Sequence, residues 1–284
     1  MAAFDWYQAT IRQPVNDVLE GLQGWGNGGR LVHSKGMHGY GHCTSLVDYE
    51  GVATRVLHGG SHAYPHVQFT GEYAQGGAEW IRATFPVHEV SRLDAREDFA
   101  DEGAFDLMLP SLLSAAQRHR VKVDTRGDHL LRHEARTVYL GAASSAVRLR
   151  QYDKAAELRA KFAADPVQLA TVPAHLTRLE AQVRPQTPEA RKAFATIEPM
   201  AVMGSSTWLR EVWQAVAGLA LQPVQVGKPW RQADDDRAYA YLLAQYGGLL
   251  ERVHADLGSW ECVGKQMGFD LAERRKAEQA KRRH

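Results

Sequence analysis

Three segments of the chain alternate polar and apolar side chains with a period of two residues, and this pattern most constrains the fold. They are SRLDAREDF (91–99), AVRLRQYDK (146–154) and LTRLEAQVR (176–184). Successive side chains of a β-strand point to opposite faces of the sheet, so residues of equal parity share a face. Each segment is therefore predicted to be a strand with one apolar face for a core and one face rich in acids and arginines.

Signals elsewhere in the chain predict an α+β fold. Short strand patterns and helical patterns alternate up to about Pro185, after which strand signals largely disappear. We expect a largely antiparallel β-sheet with flanking helices over residues 1–185, followed by a helical C-terminal region over 186–284. Pro110 is expected to end or kink a helix predicted over 102–119. A long helix predicted from Asp234 to Leu257 is expected to be interrupted at its paired glycines.

Composition excludes several classes of protein. The 284 residues contain only two cysteines, far apart, so a disulfide framework or a cysteine-rich zinc site is excluded. No apolar run is long enough to span a bilayer, and a cytoplasmic location is expected. The net charge of +1 indicates that any nucleic-acid binding depends on local charge. Residues 271–284 hold six Lys or Arg and two Glu, so this tail either contacts phosphate or forms a solvated helix end.

The polar faces of the three strands suggest a metal and phosphate site if the strands are neighbours. Asp94, Asp98 and Glu180 would then bring carboxylates together, and carboxylate oxygens suit Mg²⁺ or Mn²⁺. Arginines on the same faces could bind phosphate through paired hydrogen bonds. Those arginines are Arg96, Arg148, Arg150 and Arg178. Any one strand taken alone is better explained as a solvated sheet face with ion pairs.

Tyr152 is the candidate nucleophile on this face. An unperturbed phenol has a pKa of about 10 and is a poor nucleophile at neutral pH. Lys154, two residues further along, is expected to lie beside it and to favour the phenolate. A divalent metal would polarise a bound phosphate and stabilise the charge that develops during its transfer.

The same segments resemble the replication initiation factors of filamentous phages and rolling-circle plasmids. SRLDAREDF is similar to the family's Arg-apolar-Asp strand, VYLGAASSAVRLRQYDK to its turn and Tyr-Asp/Asn-Lys strand, and TRLEAQVR to its Arg-apolar-Glu strand. The upstream HVQFTGEY and DWYQATIR are similar to earlier strands of the family, so the resemblance covers roughly residues 4–185. In the turn this chain has Gly141-Ala142-Ala143-Ser144, which displaces the family's serine.

The resemblance implies a tyrosine nickase that initiates rolling-circle replication. It implies that Tyr152 attacks one strand of the origin, that Asp94 and Glu180 with Asp98 organise the divalent metal, and that a 5′-phosphotyrosyl link and a free 3′ hydroxyl result. The implied partners are double- and single-stranded origin DNA and host helicase and polymerase, with a homodimer left open. Tyr139 and Tyr73 are alternative nucleophiles. A non-catalytic DNA-binding regulator on the same fold is the alternative function.

Two further segments allow a functional and a structural interpretation. His33, His38 and His42 lie in a glycine-rich stretch whose spacing matches no zinc site, so metal binding there is not expected. Near the C-terminus, a turn at Gly258 between two predicted helices suits a helix-turn-helix. The alternative is two packed helices with a core of Trp260, Val263 and Met267. The basic residues predicted to contact DNA in this region are Arg274, Arg275 and Lys276.

Overall fold

The computed structural model describes residues 2–25, 29–48, 51–131, 133–227 and 234–281. Within these ranges the chain has the predicted α+β fold. The strands are β1 (Ala3–Ile11), β2 (Arg30–Lys35), β3 (His42–Val47), β4 (Val52–His58), β5 (His66–Thr70), β6 (His88–Phe99), β7 (Val123–Arg126), β8 (Thr137–Leu140), β9 (Val147–Asp153) and β10 (Thr177–Val183). The helices are α1 (Val15–Trp25), α2 (Tyr73–Thr84), α3 (Ala104–Arg118), α4 (Lys154–Lys161), α5 (Pro166–Ala170), α6 (Pro188–Ala193), α7 (Pro199–Val202), α8 (Thr207–Ala217), α9 (Asp234–Leu257) and α10 (Trp260–Lys281).

The strands form one sheet in the order β2-β3-β4-β5-β1-β6-β10-β9-β8-β7, and neighbouring strands are antiparallel. The three alternating segments become β6, β10 and β9, which lie side by side with β10 in the middle. The condition under which the sequence predicted a shared polar face is therefore met.

The core lies on the opposite face of this sheet. Leu93, Leu149 and Leu179, one from each of the three strands, have no exposed surface and belong to the main apolar cluster. Helix α3 packs on this side, where the Gln151 amide of β9 donates a 2.7 Å hydrogen bond to the Phe105 carbonyl. Burial of the apolar face fixes the direction of the polar face, because a one-residue slip of any strand would exchange the two.

Helix α3 continues through Pro110, contrary to the sequence expectation that the helix would end or kink there. Proline removes one backbone hydrogen bond and costs about 3 kcal/mol within a helix. Phe105, Met108, Leu112 and Ala115 of this helix are all buried. Burying several such side chains stabilises the helix by about 1.5–3 kcal/mol for each large one, which outweighs the local cost of the proline.

Two further elements, β2 and α9, differ from the prediction. Strand β2 was not predicted, because it lies at the sheet edge with nearly all its side chains exposed and so shows no alternation of polar and apolar residues. The paired glycines Gly247 and Gly248 do not interrupt α9, which runs from Asp234 to Leu257. A glycine inside a helix costs only about 1 kcal/mol, so two of them need not end one this long.

The chain forms two compact units, Met1–Pro229 and Trp230–His284. The first unit extends past the boundary predicted at 185, because the helical segment after β10 packs on the sheet unit. Arg82 of α2 donates hydrogen bonds to the carbonyl oxygens of Ala195 and Ile197, at 2.8 and 2.5 Å. In the part of the chain that the structure describes, no helix has both the length and the hydropathy to cross a membrane.

In the second unit, α9 and α10 are joined by Gly258, whose φ of +79° suits glycine. The Ser259 hydroxyl accepts a hydrogen bond from the Cys262 amide at 3.2 Å and so caps α10, as the helix-turn-helix prediction requires. Of the three residues expected to form a core under the alternative interpretation, Val263 is buried, whereas Trp260 is 56% exposed and Met267 is 41% exposed.

Candidate active site

The register of the three central strands places nine polar side chains on one face of the sheet. Directly opposed residues on neighbouring strands point to the same side. The resulting cross-strand rows are Asp98–Arg178–Tyr152, Arg96–Glu180–Arg150 and Asp94–Gln182–Arg148. Asp94, Glu180 and Tyr152 occupy successive rows on successive strands and therefore form a diagonal line, with Glu180 in the middle.

This diagonal line borders a cleft of about 870 Å³. The cleft is lined by side chains of β1, β6, β9 and β10 and by the first turns of α2 and α4. The structure therefore brings the predicted nucleophile and two predicted metal ligands to one site. It also brings Asp98 to the same face, although that carboxylate has other partners.

Tyr152 lies at the end of β9 and is only 4% exposed. The Arg150 guanidinium stacks on its ring at 3.6 Å from the centroid. Its hydroxyl has no hydrogen-bond partner among the described residues. Burial raises the pKa of Tyr152 well above its ordinary value, and the Glu180 carboxylate raises it further, while Arg178 and Arg150 lower it. Two neighbouring cations, Arg178 and Arg150, therefore favour the phenolate, but burial has the larger effect and the pKa of Tyr152 stays raised.

Lys154 is the first residue of α4, and its Nζ lies 5.8 Å from the centroid of the Tyr152 ring. The ammonium group forms an ion pair with Glu157 at 2.8 Å. The helix begins here because the Asp153 carboxylate accepts a hydrogen bond from the Ala156 amide at 2.9 Å. Lys154 therefore lies beside the tyrosine as predicted, but Glu157 offsets its charge.

Glu180 is a buried carboxylate whose charge is only partly compensated. It is 7% exposed, and its Oε2 atom lies 3.6 Å from the Arg150 guanidinium without a hydrogen bond. Burial raises the pKa of Glu180 to about 7; Arg150 lowers it, and the carboxylates of Asp94 and Asp5 raise it. Around neutral pH, this group is therefore close to the point at which it gains or loses a proton.

Asp94 is 2% exposed and forms a bidentate ion pair with Arg92, at 2.9 and 2.5 Å. The Gln182 amide donates a further hydrogen bond at 3.3 Å. Burial raises the pKa of Asp94, while Arg92 lowers it. Arg92 itself stacks on the Trp6 ring at 4.1 Å from the centroid. The sequence placed Arg92 on the polar face without giving it a role, and the structure makes it the cation that holds Asp94.

Asp98 forms ion pairs with two arginines. Its oxygens accept hydrogen bonds from Arg178 at 2.6 and 2.8 Å and from Arg96 at 2.6 Å. Burial alone would raise the pKa of Asp98, but Arg178 and Arg96 outweigh it, and the pKa is lowered. Both oxygens of Asp98, like those of Asp94, accept hydrogen bonds from guanidinium groups, but Asp98 pairs with two arginines and does not line the cleft. It is therefore the least suited of the three predicted metal ligands.

Asp5 is a site residue that the sequence did not reveal. Between Phe4–Ala95 and Trp6–Asp94, β1 advances by two residues while β6 advances by one, so Asp5 is the extra residue of a β-bulge. A bulge re-aims a side chain, and Asp5 consequently faces the cleft. Its carboxylate accepts from Arg178 at 2.8 Å and lies 3.4 Å from Arg96. Strict alternation, which the sequence argument assumed, cannot locate such a residue.

The donor set suits a metal that keeps much of its water. In the described ranges, no group of three or more His, Cys, Asp or Glu side chains is arranged to hold a metal ion. Mg²⁺, however, is often bound by one or two carboxylates, with water and substrate phosphate as the other ligands. Glu180 fits that description because its Oε2 atom has no hydrogen bond. Asp94 faces the same cleft, where a metal would take the place of its hydrogen bonds from Arg92 and Gln182.

The predicted phosphate ligands differ in their availability. Arg178 is 6% exposed, and its guanidinium is engaged by Asp98 and Asp5, so it acts as an internal cation. Arg96 also pairs with these two acids. Arg148 stacks on Tyr139 at 3.9 Å, and Arg150 on Tyr152, so both are positioned by an aromatic ring. The three basic residues Arg274, Arg275 and Lys276 lie exposed on α10 of the second unit.

The alternative nucleophiles occupy different places. Tyr73 begins α2 and lines the same cleft, where its hydroxyl donates a 2.7 Å hydrogen bond to Asp48. Tyr139 lies opposite Arg150 on β8 and is sandwiched by Arg126 and Arg148 rather than placed among carboxylates. Tyr73 is therefore the competitor that an experiment has to exclude.

The histidines of the glycine-rich stretch form hydrogen bonds within the sheet instead of a metal site. His33 and His58 both contact the Thr44 hydroxyl, each at 3.0 Å, and His42 stacks on His58 at 5.4 Å. Neither His38 nor any other histidine of the described chain belongs to a group that could hold a metal.

The similarity of this chain to known proteins lies in its fold. No protein-family model matches the chain, and no curated protein matches it. A solved structure with a similar fold is a rolling circle replication initiator protein from Geobacillus stearothermophilus. It shares 17% sequence identity, the alignment covers 81% of this chain and 99% of that chain, and the TM-score is 0.49.

Proposed function

We propose that this protein initiates rolling-circle DNA replication by nicking one DNA strand with Tyr152. The observation that supports the proposal best is the diagonal line of Asp94, Glu180 and Tyr152, which puts a phenol and two buried carboxylates on one face of three adjacent strands. An ordinary solvated sheet face would expose its acids, but Asp94 and Glu180 are almost completely buried despite the cost of burying charge. Such groups are typical of functional sites.

The proposed reaction exchanges one phosphate ester for another. The Tyr152 oxygen attacks the phosphorus of a phosphodiester, a new P–O bond to the phenol forms, and the bond from phosphorus to the 3′ oxygen breaks. The phenol proton leaves Tyr152, and the departing 3′ oxygen gains a proton, so no oxidant, reductant or nucleotide is consumed. The products are a 5′-phosphotyrosyl link and a free 3′ hydroxyl, which can prime a polymerase.

Asp94 and Glu180 would hold a divalent metal, Mg²⁺ or Mn²⁺, in this reaction. When bound, the metal would polarise the phosphate and stabilise the developing negative charge. Arg150 has two roles in the protein itself, since its cation stacks on the phenol ring and lies 3.6 Å from Glu180. It therefore orients Tyr152 and favours loss of its proton, against the effect of burial.

The experiment that tests this function is covalent capture of single-stranded DNA. A pool of oligonucleotides with random sequence, labelled at the 3′ end, serves as the probe with Mn²⁺ or Mg²⁺ present, because the 5′-phosphotyrosyl link retains the 3′ part of the cleaved strand. The expected result is a labelled protein band on a denaturing gel, dependent on the metal. Tyr152→Phe, which removes only the hydroxyl, is expected to abolish the band.

Tyr73→Phe is the matched control, because Tyr73 lines the same cleft and carries the same chemical group. This variant is expected to form the adduct about as well as the unmodified protein. An adduct that survives Tyr152→Phe and disappears with Tyr73→Phe would transfer the nucleophile to Tyr73. Absence of any adduct, together with metal-independent DNA binding, would support the non-catalytic regulator instead.

A further inference from the structure

A second cleft of about 480 Å³ lies on the same polar face of the sheet, next to the first. Trp6 and Arg92 line both clefts, so the two are continuous. The second cleft extends away from Tyr152 over β1, β5 and β4, on the part of the sheet that the catalytic proposal does not use. Its volume is within the range of about 300–1,000 Å³ that is typical of small-ligand sites.

A row of long polar side chains crosses the floor of this second cleft. In the register, Arg92 lies opposite Gln8, Gln8 opposite Gln68, and Gln68 opposite Arg55. Neighbouring strands are about 4.8 Å apart, so the three spacings from Arg92 to Arg55 span roughly 14 Å. The row thus ends in a guanidinium on each side, with two amides between. Trp6 and Ser91 already form hydrogen bonds with the Gln8 amide, so the Gln68 amide is the one that can bind bases or sugars.

The charge of the second cleft is entirely positive, unlike that of the first. Three arginines and no aspartate or glutamate line it. Within the described chain, Arg55 has no hydrogen-bond or ion-pair partner. Arg184 donates two hydrogen bonds from Nη1 to backbone carbonyls. Burial and the nearby Arg92 and Arg148 lower the pKa of its guanidinium, while Asp94 raises it. Bound anions would relieve this mutual repulsion.

Aromatic and neutral groups complete the second cleft. Trp6 and Tyr40 both line it and are partly exposed, and Tyr40 stacks on His62 at a centroid distance of 3.9 Å. His66 also lines it, and burial lowers its pKa to about 4, so this ring is neutral at physiological pH. Cations that follow a backbone, together with aromatic rings that stack on bases, are typical of single-stranded nucleic-acid sites.

We propose that the second cleft holds the single-stranded DNA segment next to the phosphate that Tyr152 attacks. The inference rests on the proposed function for the place of the scissile phosphate, and it adds a specific binding surface with Arg55 at its far end. In this arrangement the strand lies across β6, β1, β5 and β4, with a phosphate near Arg55, while Arg92 keeps its ion pair with Asp94 at the boundary between the clefts. The shared wall of Trp6 and Arg92 keeps the DNA continuous between the two clefts.

The test is equilibrium binding of a fluorescent oligothymidylate, measured by anisotropy at several salt concentrations. It is done in the Tyr152→Phe background without metal, so that neither cleavage nor covalent capture contributes. Arg55→Ala is expected to weaken binding several-fold and to reduce the slope of log K against log salt by about 0.7, the value for one lost phosphate contact on a single strand. Arg55→Lys is expected to restore the slope.

Arg118→Ala is the matched control, since it removes the same charge from α3 on the other side of the sheet. It is expected to leave affinity and slope unchanged. Equal effects of Arg55→Ala and Arg118→Ala, or no effect of Arg55→Ala, would overturn the proposal even if Tyr152 nicks DNA. Tighter binding of a matched oligouridylate would overturn the assignment to DNA. An Arg55-specific loss of binding would support the cleft even if no covalent adduct were ever found.

Discussion

Arg150 stacks on Tyr152, with its guanidinium carbon 3.6 Å from the centroid of the phenol ring, and the same guanidinium lies 3.6 Å from a Glu180 oxygen. Arg150 and Tyr152 are separated by one residue on β9, so their side chains lie on the same face of the sheet. This contact links the proposed nucleophile to the proposed metal site. After Arg178, Arg150 is also the charge that most counteracts the effect of burial on the pKa of the phenol.

Arg150→Ala is expected to slow formation of the covalent adduct. Loss of the cation would raise the pKa of Tyr152 further, and each additional pKa unit reduces the phenolate fraction roughly tenfold at neutral pH. The rate of adduct formation, measured as a function of pH, should therefore shift towards higher pH. Arg150→Lys should restore part of the rate, because it keeps the charge without the planar stacking. Arg126→Ala, which removes a cation above Tyr139, is the control, and an equal shift in that variant would contradict a specific role for Arg150.

Glu180→Gln is expected to stabilise the metal-free protein at alkaline pH. The pKa of Glu180 is about 7 in the folded chain against an ordinary 4.5, so ionisation opposes folding and stability is lost as pH rises through 7. In urea unfolding with a metal chelator present, the free energy of unfolding of the variant at pH 8 should exceed that of the unmodified protein by on the order of 1–3 kcal/mol. The difference should narrow as pH falls towards 4.5. A variant that is less stable at pH 8 would show that Arg150 compensates Glu180 fully.

Asp94→Asn and Asp98→Asn are expected to separate metal binding from structure. Titration of Mn²⁺ into the protein should show affinity reduced at least about tenfold by Asp94→Asn, since even outer-shell groups contribute roughly 10- to 100-fold. Asp98→Asn should change the affinity less than about threefold, because Asp98 pairs with two arginines and, unlike Asp94, does not line the cleft. If Asp98→Asn abolished Mn²⁺ binding, its ion pairs would have to open when the metal enters.

Arg178→Met is expected to destabilise the fold strongly. It would leave two partly buried carboxylates, Asp98 and Asp5, with Arg96 as their remaining shared cation. Breaking a buried ion pair costs about 3–5 kcal/mol. Chemical denaturation at neutral pH measures this loss. Arg118→Met removes an exposed arginine that pairs with Glu211, and it should cost no more than about 1 kcal/mol. Similar losses in the two variants would mean that the network around Arg178 contributes little.

The amino-acid sequence by itself determined two local features: the alternation of side chains along the strands and the capping of helices. The period of two residues in β6, β9 and β10 specifies which side chains face the core and which face the cleft, because burial of Leu93, Leu149 and Leu179 leaves no other choice. The N-termini of α6 and α8 follow the same logic, because Thr and Ser are favoured as cap residues. Thr187 and Ser206 accept hydrogen bonds from the amides of Ala190 and Leu209. Such effects act over a few residues, so they can be predicted from the chain alone.

The tertiary structure alone decided which side chains lie close together and how their surroundings shift their pKa values. The order β6-β10-β9 makes Glu180 the neighbour of both Asp94 and Tyr152, and the bulge in β1 brings Asp5 to the cleft. Burial then outweighed the effect of neighbouring cations on the pKa of the phenol, since desolvation depends on the whole surrounding protein. The second cleft likewise arises from pairing between strands distant in sequence. Alternation therefore predicted the polar face of each strand, whereas packing determined its chemistry.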